Sequence, residues 1–271
     1  DTDYLINFNP DFTNPKTYVG VNPEETTAYW INEAEKQGYE ALYQAHYADY
    51  TALFNRVKLN LTNSSDFRDM PITQRLGRYR EGQKDFYLEQ LYYQFGRYLL
   101  IASSRPSNLP ANLQGIWHNN VDGPWRVDYH NNINLQMNYW PVYSTNLAEC
   151  GTTFVDYMDK LREPGRLTAE RVHGIKGAVD NHTGFTVHTE NNPFGMTAPT
   201  NAQEYGWNPT GAAWAVQNLW WHYEFTQDEA YLKNTIYPIM KEAAQFWDSY
   251  LWTSEYQKIN DETSPYHGEN R

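Results

Sequence analysis

The sequence predicts a mainly α fold built from helical hairpins. Several segments repeat apolar residues at spacings of three and four, which places those residues on one face of a helix. Strand-like alternation is almost absent after residue 61, and long loops rich in Asn, Thr, Gly and aromatic residues separate the helical segments. Helices that alternate with such loops suit hairpins arranged as a toroid, with the loops gathered at one end to form a site.

The individual elements follow from local signals. Residues 1–22 are rich in Asn, Pro and Thr, and they predict one short strand and a loop. A helix begins at Pro23, because a proline followed by two glutamates suits a first turn, and it ends at Gly38. Pro238 marks a start or a kink in the last predicted helix. The other predicted elements are helices at about 40–54, 85–104, 146–161, 211–225 and 229–251, an edge strand at 57–61, and loops at 105–143 and 174–210.

The predicted helices are too few to close a ring. A toroid of six hairpins needs twelve helices, or roughly 300 residues or more at ordinary helix and loop lengths. Only about four or five helices are predicted after residue 84, so we expect either a smaller helical domain or part of a toroid. Residues 260–271 have the composition of an interrupted loop, which favours a partial domain.

Charge and cysteine content exclude several classes of function. Acidic residues number 33 against 21 Lys and Arg, whereas a protein that binds nucleic-acid phosphates needs clustered positive charge. Mean hydropathy is −0.80, and no apolar run approaches the roughly 18 residues of a transmembrane helix. Cys150 stands alone, which excludes a disulfide framework and a cysteine zinc site. Aromatic residues make up 16% of the chain, which suits either sugar stacking or an aromatic core.

Planar polar side chains are concentrated in the first long loop. Asn132, Asn134, Gln136 and Asn138 alternate with apolar residues, so an extended segment would place all four amides on one side. Such a row could orient a sugar or a water molecule, or it could tie neighbouring loops together. The same choice between ligand binding and loop stitching applies to four earlier side chains, Arg105, Asn108, Asn112 and Gln114.

Carboxylates in the two loops are candidates for acid–base chemistry, because a glycosidase generally needs two carboxyl groups at a defined separation. The loop carboxylates are Asp122, Asp128, Glu190 and Glu204, and the sequence leaves the choice of pair open. Glu149 lies on a predicted helix, where we expect it to cap the helix or form an ion pair. Trp207 precedes a predicted helix and is free to act as a stacking platform, whereas Trp214 and Trp221 are expected to share a buried face.

Other catalytic classes lack their motifs. Four loop histidines, His118, His130, His182 and His188, suggest a metal site, but none of the usual ligand spacings is present, so no metal is predicted. The chain contains no Gly-x-Ser-x-Gly element and no phosphate-binding glycine loop.

Two long stretches carry a resemblance to a known family. FGRYLLIASSRPSNLPANLQGIWHNN (95–120) and DYHNNINLQMNYWPVYSTNLAE (128–149) strongly resemble the inverting α-L-fucosidases of glycoside hydrolase family 95. Shorter matches are VHTENNPFG (187–195) and GWNPTGAAWAVQNLWWHYEFTQDEAYL (206–232). The resemblance implies that residues 1–22 are the tail of an N-terminal β-domain, 23–83 a helical linker, and 84–271 the first half of an (α/α)6 catalytic barrel.

The resemblance also implies an activity and site residues. It implies release of terminal α-1,2-linked L-fucose with inversion, without metal or organic cofactor. Asn132 and Asn134 match the asparagines that hold the attacking water, which a distant Asp activates. His130 matches a contact near the C5 substituent of the sugar, Glu190 a hydrogen-bonding contact, and Trp207 a stacking contact.

One family feature has no counterpart here. The family's general acid belongs to a Ser-Pro-Glu-type segment that the resemblance places beyond residue 271, and the neighbours of Glu269 do not match it. We therefore expect these 271 residues alone to be unable to hydrolyse glycosides. The expected partners are a fucosylated glycan and the remainder of the same domain, with no nucleic acid and no membrane, in an extracellular or periplasmic and possibly bacterial protein.

Three other functions stay open on sequence grounds. An α-L-galactosidase of the same family would share the asparagine pair. A non-catalytic sugar-binding helical module would also explain the aromatic loops and the absent acid. A purely structural scaffold would predict that replacing Asn132 or Asn134 changes stability alone.

Overall fold

A computed structural model describes residues 2–7, 11–62, 67–106, 109–200 and 203–260. The backbone is mainly helical, so the predicted fold class is confirmed, and its packed helices agree with hairpins from an α/α toroid. In chain order the α-helices of these ranges are α1 (Pro23–Phe54), α2 (Ile72–Arg80), α3 (Phe86–Ser103), α4 (Asn134–Asn138), α5 (Pro141–Ser144), α6 (Ala148–Lys160), α7 (Arg162–His173), α8 (Ala178–Asn181), α9 (Gln203–Gly206), α10 (Gly211–Thr226), α11 (Glu229–Tyr231) and α12 (Tyr237–Asn260).

Extended structure is short. Strands β1 (Tyr129–His130) and β2 (Glu190–Asn191) form one antiparallel pair, and near the N-terminus Tyr4 and Val19 form an isolated β-bridge. The predicted edge strand at 57–61 is wrong. Side chains of α3 occupy its backbone groups, since Gln94 donates to the Val57 carbonyl at 3.1 Å and the Leu61 N–H donates to Gln90 Oε1 at 2.9 Å.

Helix α1 is interrupted where the glycine signal predicts. Gly38 has φ 75° and ψ 162°, which divides α1 into two helical segments, as the sequence indicates. The Asn22 side chain caps the first segment by accepting the Glu24 N–H at 3.0 Å, and Glu24 and Glu25 lie at the positive end of the helix.

The bounds of helix α3 agree with the prediction to within one residue at each end. Hydrogen bonds connect it to α2 near its N-terminus and to α1 further along. Asp85 caps it by accepting the Leu88 N–H at 2.9 Å, while Arg75 of α2 donates to the same carboxylate at 2.6 and 2.9 Å. The hydrogen bond from Arg75 lowers the pKa of Asp85, against the opposing effect of burial. Further along α3, Arg97 reaches the C-terminal carbonyls of α1.

The core lies where α10 packs against α4, α5, α6 and α12. Val142, Phe154, Leu219 and Ile239 are buried there, at exposures of 2% or less. A π-helical turn, Leu232–Ile236, precedes helix α12. Pro238 is the second residue of α12, so the prediction that a helix starts at this proline is confirmed.

Helix α7 has no counterpart among the predicted elements, because Pro164 and Gly165 interrupt the helical signal. Pro164 lies in the first turn, where its missing N–H breaks no intrahelical bond. A Cβ at Gly165 would lie 2.9 Å from the Thr186 carbonyl oxygen, so glycine allows the 185–186 segment to approach the helix. Among the described helices, none is both long and apolar enough to cross a bilayer. The proposed divisions after residues 22 and 83 remain predictions.

Candidate functional site

Two loops meet at the short β1–β2 pair. In this register His130 lies opposite Glu190, although the two residues are 60 positions apart in the sequence. Tyr129 anchors β1, because its buried ring contacts Tyr157 and its hydroxyl donates to the Pro110 carbonyl at 2.9 Å. The pair therefore brings together two of the predicted sugar-binding residues.

A cleft of about 450 Å³ opens beside this pair. Its lining combines aromatic, apolar, basic and acidic side chains, namely Trp125, Arg126, Asp128, Glu190, Met196, Pro199 and Thr200. Two of the four candidate carboxylates, Asp128 and Glu190, thus share one cleft. Asp122 and Glu204 are exposed elsewhere in the loops.

Asp128, which lines the cleft, approaches the side chain of His130. The Asp128 Oδ1 and His130 Nε2 atoms lie 2.9 Å apart, but their angles do not satisfy a hydrogen bond. Both atoms are buried, and within the described residues neither has a hydrogen-bond partner. Unpaired buried polar atoms are costly, so a ligand hydroxyl that bonded to them would recover free energy.

The turn before β1 has an unusual backbone. Trp125, Arg126 and Val127 have φ values of 51°, 58° and 56°, three consecutive side-chain-bearing residues in the left-handed region. Each such residue costs about 1–3 kcal/mol, most for a β-branched one. The turn directs Trp125 and Arg126 to the rim of the cleft, where Trp125 is 72% exposed.

Asn132 and Asn134 lie immediately after β1 and are both solvent-exposed. Within the described part of the chain, neither side-chain amide hydrogen-bonds to another residue. The prediction of an extended row of four amides is wrong, because Asn134 begins helix α4 and Gln136 turns into the core with no exposed surface.

A buried cluster of amides explains this change. The Asn131 backbone N–H donates to the Thr189 carbonyl at 2.7 Å, and its side-chain amide bonds to the Asn191 side chain. Gln136 donates to the Asn131 carbonyl at 2.8 Å, and Asn218 of α10 donates to the Gln136 carbonyl at 2.9 Å. This set, Asn131, Gln136, Asn191 and Asn218, is called the amide cluster below. It fixes the turn that presents Asn132 and Asn134 to solvent.

The amide cluster is a positioning element that the sequence pattern does not reveal. The dense run of amides at 131–138 was the available signal, but a period of two assigned the buried and exposed members incorrectly. Only the packing of α10 against α4 shows that Gln136 faces inward while its neighbours face outward.

Trp207 lies near the end of the second loop, is 44% exposed, and contacts two histidine rings at interplanar angles of 51° and 53°. The indole centroid is 5.1 Å from both the His173 and the His188 ring centroids. The adjacent Asn208 donates its side-chain N–H to the Asn131 carbonyl at 3.4 Å, which links Trp207 to the amide cluster.

The remaining candidate residues have structural partners. Glu149 accepts two hydrogen bonds from Arg56 at 2.8 and 2.9 Å, so the expectation of an ion pair is confirmed. Asn112 accepts the Gln114 backbone N–H at 2.9 Å, which is loop stitching, and Arg105 pairs with Asp49. Asn108 lies outside the described residues. In the part of the chain that is described, no three His, Cys, Asp or Glu side chains converge as a metal site.

Comparison with known proteins agrees with this architecture. The glycosyl hydrolase family 95 catalytic domain matches residues 38–271. A protein named probable alpha-fucosidase A from Aspergillus niger is 39% identical over 258 residues, which cover 93% of this chain and 32% of that protein. Alpha-L-fucosidase 2 from Arabidopsis thaliana is 35% identical over 268 residues, covering 96% and 31%. The chain thus spans about one third of the length of these relatives. By the match over residues 38–271, it belongs to glycosyl hydrolase family 95.

Proposed function

We propose that the protein containing this chain is an α-L-fucosidase that releases terminal α-1,2-linked L-fucose with inversion. The observation that carries the proposal is a pair of exposed amides, Asn132 and Asn134, whose side chains have no hydrogen-bond partner among the described residues. They lie shortly after the strand that holds His130 opposite Glu190. Consecutive Cα atoms are about 3.8 Å apart, so Asn132 lies within about 8 Å of His130. The names of the relatives, which refer to fucosidases, support the same substrate class.

In the proposed reaction the two asparagines position the attacking water. Inversion requires water on the face of the sugar opposite the leaving oxygen, and amide oxygens can accept hydrogen bonds from that water. An amide is a very weak base, so the water must also be polarised by a carboxylate through the amide–water network. Preorganised hydrogen bonds of this kind lower the barrier because they need no rearrangement as charge develops.

The other site residues would bind the sugar. Glu190 can accept hydrogen bonds from sugar hydroxyls, and Trp207 offers the exposed part of its indole to an apolar sugar face. His130 lies across β1–β2 from Glu190, where it can contact the substituent at C5. No residue of this chain is assigned as the general acid.

The direct test is incubation of the intact protein, with all sequence that flanks these residues in its gene, with 2′-fucosyllactose. We expect release of fucose, with the β-anomer as the first product in proton NMR spectra. The L-galactosyl analogue should react about tenfold more slowly or worse, because a pocket shaped for a methyl group rejects an added hydroxyl only modestly. Faster release of L-galactose would instead identify a galactosidase, and calorimetric binding without turnover would identify a sugar-binding module.

The amide cluster gives a second prediction. Asn131→Ala removes the buried side chain that bonds to Asn191, so the turn carrying Asn132 and Asn134 loses part of its support. We expect kcat/KM for fucose release to fall about a hundredfold, because displacement of a positioned water by an ångström is sufficient for such a loss. The matched control is Asn181→Ala, at an exposed asparagine, which should retain normal kinetics. Equal kinetics in both variants would show that the cluster does not position the site.

A further inference from the structure

A buried and a half-buried histidine, His188 and His173, form a pair against Trp207. His188 has no exposed surface, and its Nε2 lies 3.0 Å from Nε2 of His173, the last residue of α7, with the two ring planes within 5°. The backbone N–H of Asn208 donates to Nδ1 of His188 at 2.9 Å. The pair therefore joins the end of α7 to the segment that carries Trp207.

These contacts determine where the protons are. Since Nδ1 of His188 accepts a hydrogen bond, neutral His188 carries its proton on Nε2. The Nε2–H group of His188 donates a hydrogen bond to Nε2 of His173. Neutral His173 must therefore carry its own proton on Nδ1. One shared proton thus satisfies both facing nitrogens. A second proton on the pair would place an N–H against another N–H, either between the rings or at the Asn208 backbone.

The surroundings of the pair are aromatic rather than anionic. Trp207 contacts both rings, and Phe246 and Tyr250 of α12 contact His173 edge-on, at centroid distances of 5.2 Å. Tyr250 is the titratable group among these neighbours, and a phenol is uncharged at acidic pH. Among the described residues, no carboxylate forms an ion pair with either ring. The described neighbours of the pair therefore include no anionic group that would offset a positive charge.

Burial accordingly favours the neutral pair. The pKa of His188 is lowered to about 4, mainly by burial and to a smaller extent by the neighbouring His173. A hydrogen bond to the Gly206 backbone acts in the opposite direction and raises this pKa. Burial also lowers the pKa of His173. The pKa values of both histidines therefore lie below the ordinary histidine value of about 6.5. A state in which the two rings have separated would bind protons more readily than the packed state as the pH falls below that value. Acid therefore favours opening of the pair.

We propose that His173 and His188 are positioning residues that hold the Trp207 platform in place while they share one proton, and that a second proton on the pair releases Trp207. The inference rests on the proposed function only in giving Trp207 the role of sugar platform. Release would also loosen Asn208 and, through its bond to Asn131, the amide cluster. The fucose site would then weaken in acid through a residue pair that does not touch the substrate.

The first test measures Trp207 directly and requires no substrate. Hydroxyl-radical oxidation of the intact protein, read by mass spectrometry, is compared at about pH 7.5 and about pH 4.5 while circular dichroism monitors the overall fold. We expect oxidation of Trp207 to rise about threefold or more in acid, as the released population grows. Unchanged oxidation of Trp207 in a protein that stays folded would overturn the proposal.

The second test uses His173→Gln, whose side-chain oxygen can accept the His188 proton in place of Nε2 but cannot itself be protonated in this range. Oxidation of Trp207 should then rise less in acid than in the parent protein, because only Nδ1 of His188 can still take up a proton. The control His46→Gln, on the exposed face of α1, should behave as the parent protein. KM for 2′-fucosyllactose should rise about tenfold in acid for the parent and the control, and by a clearly smaller factor for His173→Gln. An equal acid response in all three proteins would refute the role of the pair. Complete lack of fucosidase activity would contradict the proposed function and leave the oxidation measurement as the test.

Discussion

Replacing Asn134 by alanine in the intact protein should lower kcat for fucose release by about a thousandfold or more, with little change in fucose binding. In the proposed reaction, positioning and activation of the attacking water would be lost together, whereas the proposed sugar contacts at Glu190 and Trp207 would remain. Asn132→Ala should behave similarly. Single-turnover kinetics would measure the chemical step, and calorimetry with L-fucose would measure binding.

Asn134→Asp separates geometry from chemistry at the same position. Aspartate has nearly the shape of asparagine, and an acidic residue at the start of a helix is favourable, so α4 should form normally. Its negative charge nevertheless disturbs the amide–water network, and we expect a loss of similar size. The matched control is Asn32→Ala, at an exposed position of α1 that is distant from Asn134 in the sequence. Near-normal turnover of both Asn134 variants would mean that the water is held elsewhere.

The largest effect on stability is expected at Arg97, which is only 2% exposed. Its guanidinium donates to the Leu53 carbonyl at 3.0 Å, the Phe54 carbonyl at 2.8 Å and the Thr145 carbonyl at 3.3 Å. Arg97→Met removes the donor that these three carbonyls share, and among the described residues only the Leu53 carbonyl keeps a backbone donor, the Arg56 N–H at 3.3 Å. We therefore expect the free energy of unfolding to fall by about 3–5 kcal/mol. Urea denaturation of the intact protein, monitored by circular dichroism, measures the change.

Two companion variants make the Arg97 result specific. Arg80→Met changes an exposed arginine at the end of α2 and should alter stability by no more than about 0.5 kcal/mol. Arg97→Lys should restore only part of the loss, because one ammonium group cannot reach carbonyls on α1 and at Thr145 as the planar guanidinium does. If Arg97→Met were as stable as Arg80→Met, these carbonyls would not depend on Arg97.

Helices with a clear local signal are predictable from the sequence. The apolar spacing in α3 and α10 and the glycine in α1 are local properties, and all three features agree with the structure. Helix α7 was missed because Pro164 and Gly165 weaken the local signal, while contacts with residues 185–186 stabilise it. Residues 57–61 are the opposite case, in which a local signal is present but the element does not form. Their alternating pattern predicts a strand, but side chains of α3 bond to the backbone groups of this segment.

The sequence alone determined the helical class, the two amide-rich loops and, through long matching stretches, the five candidate residues Asn132, Asn134, His130, Glu190 and Trp207. Tertiary structure decided which of their neighbours are buried. His130 meets Glu190, and His173 meets His188, only because the chain returns from distant positions. Hydrophobic periodicity records which face of a single element is apolar, but it contains no information about which second element will cover that face or pair with its polar groups.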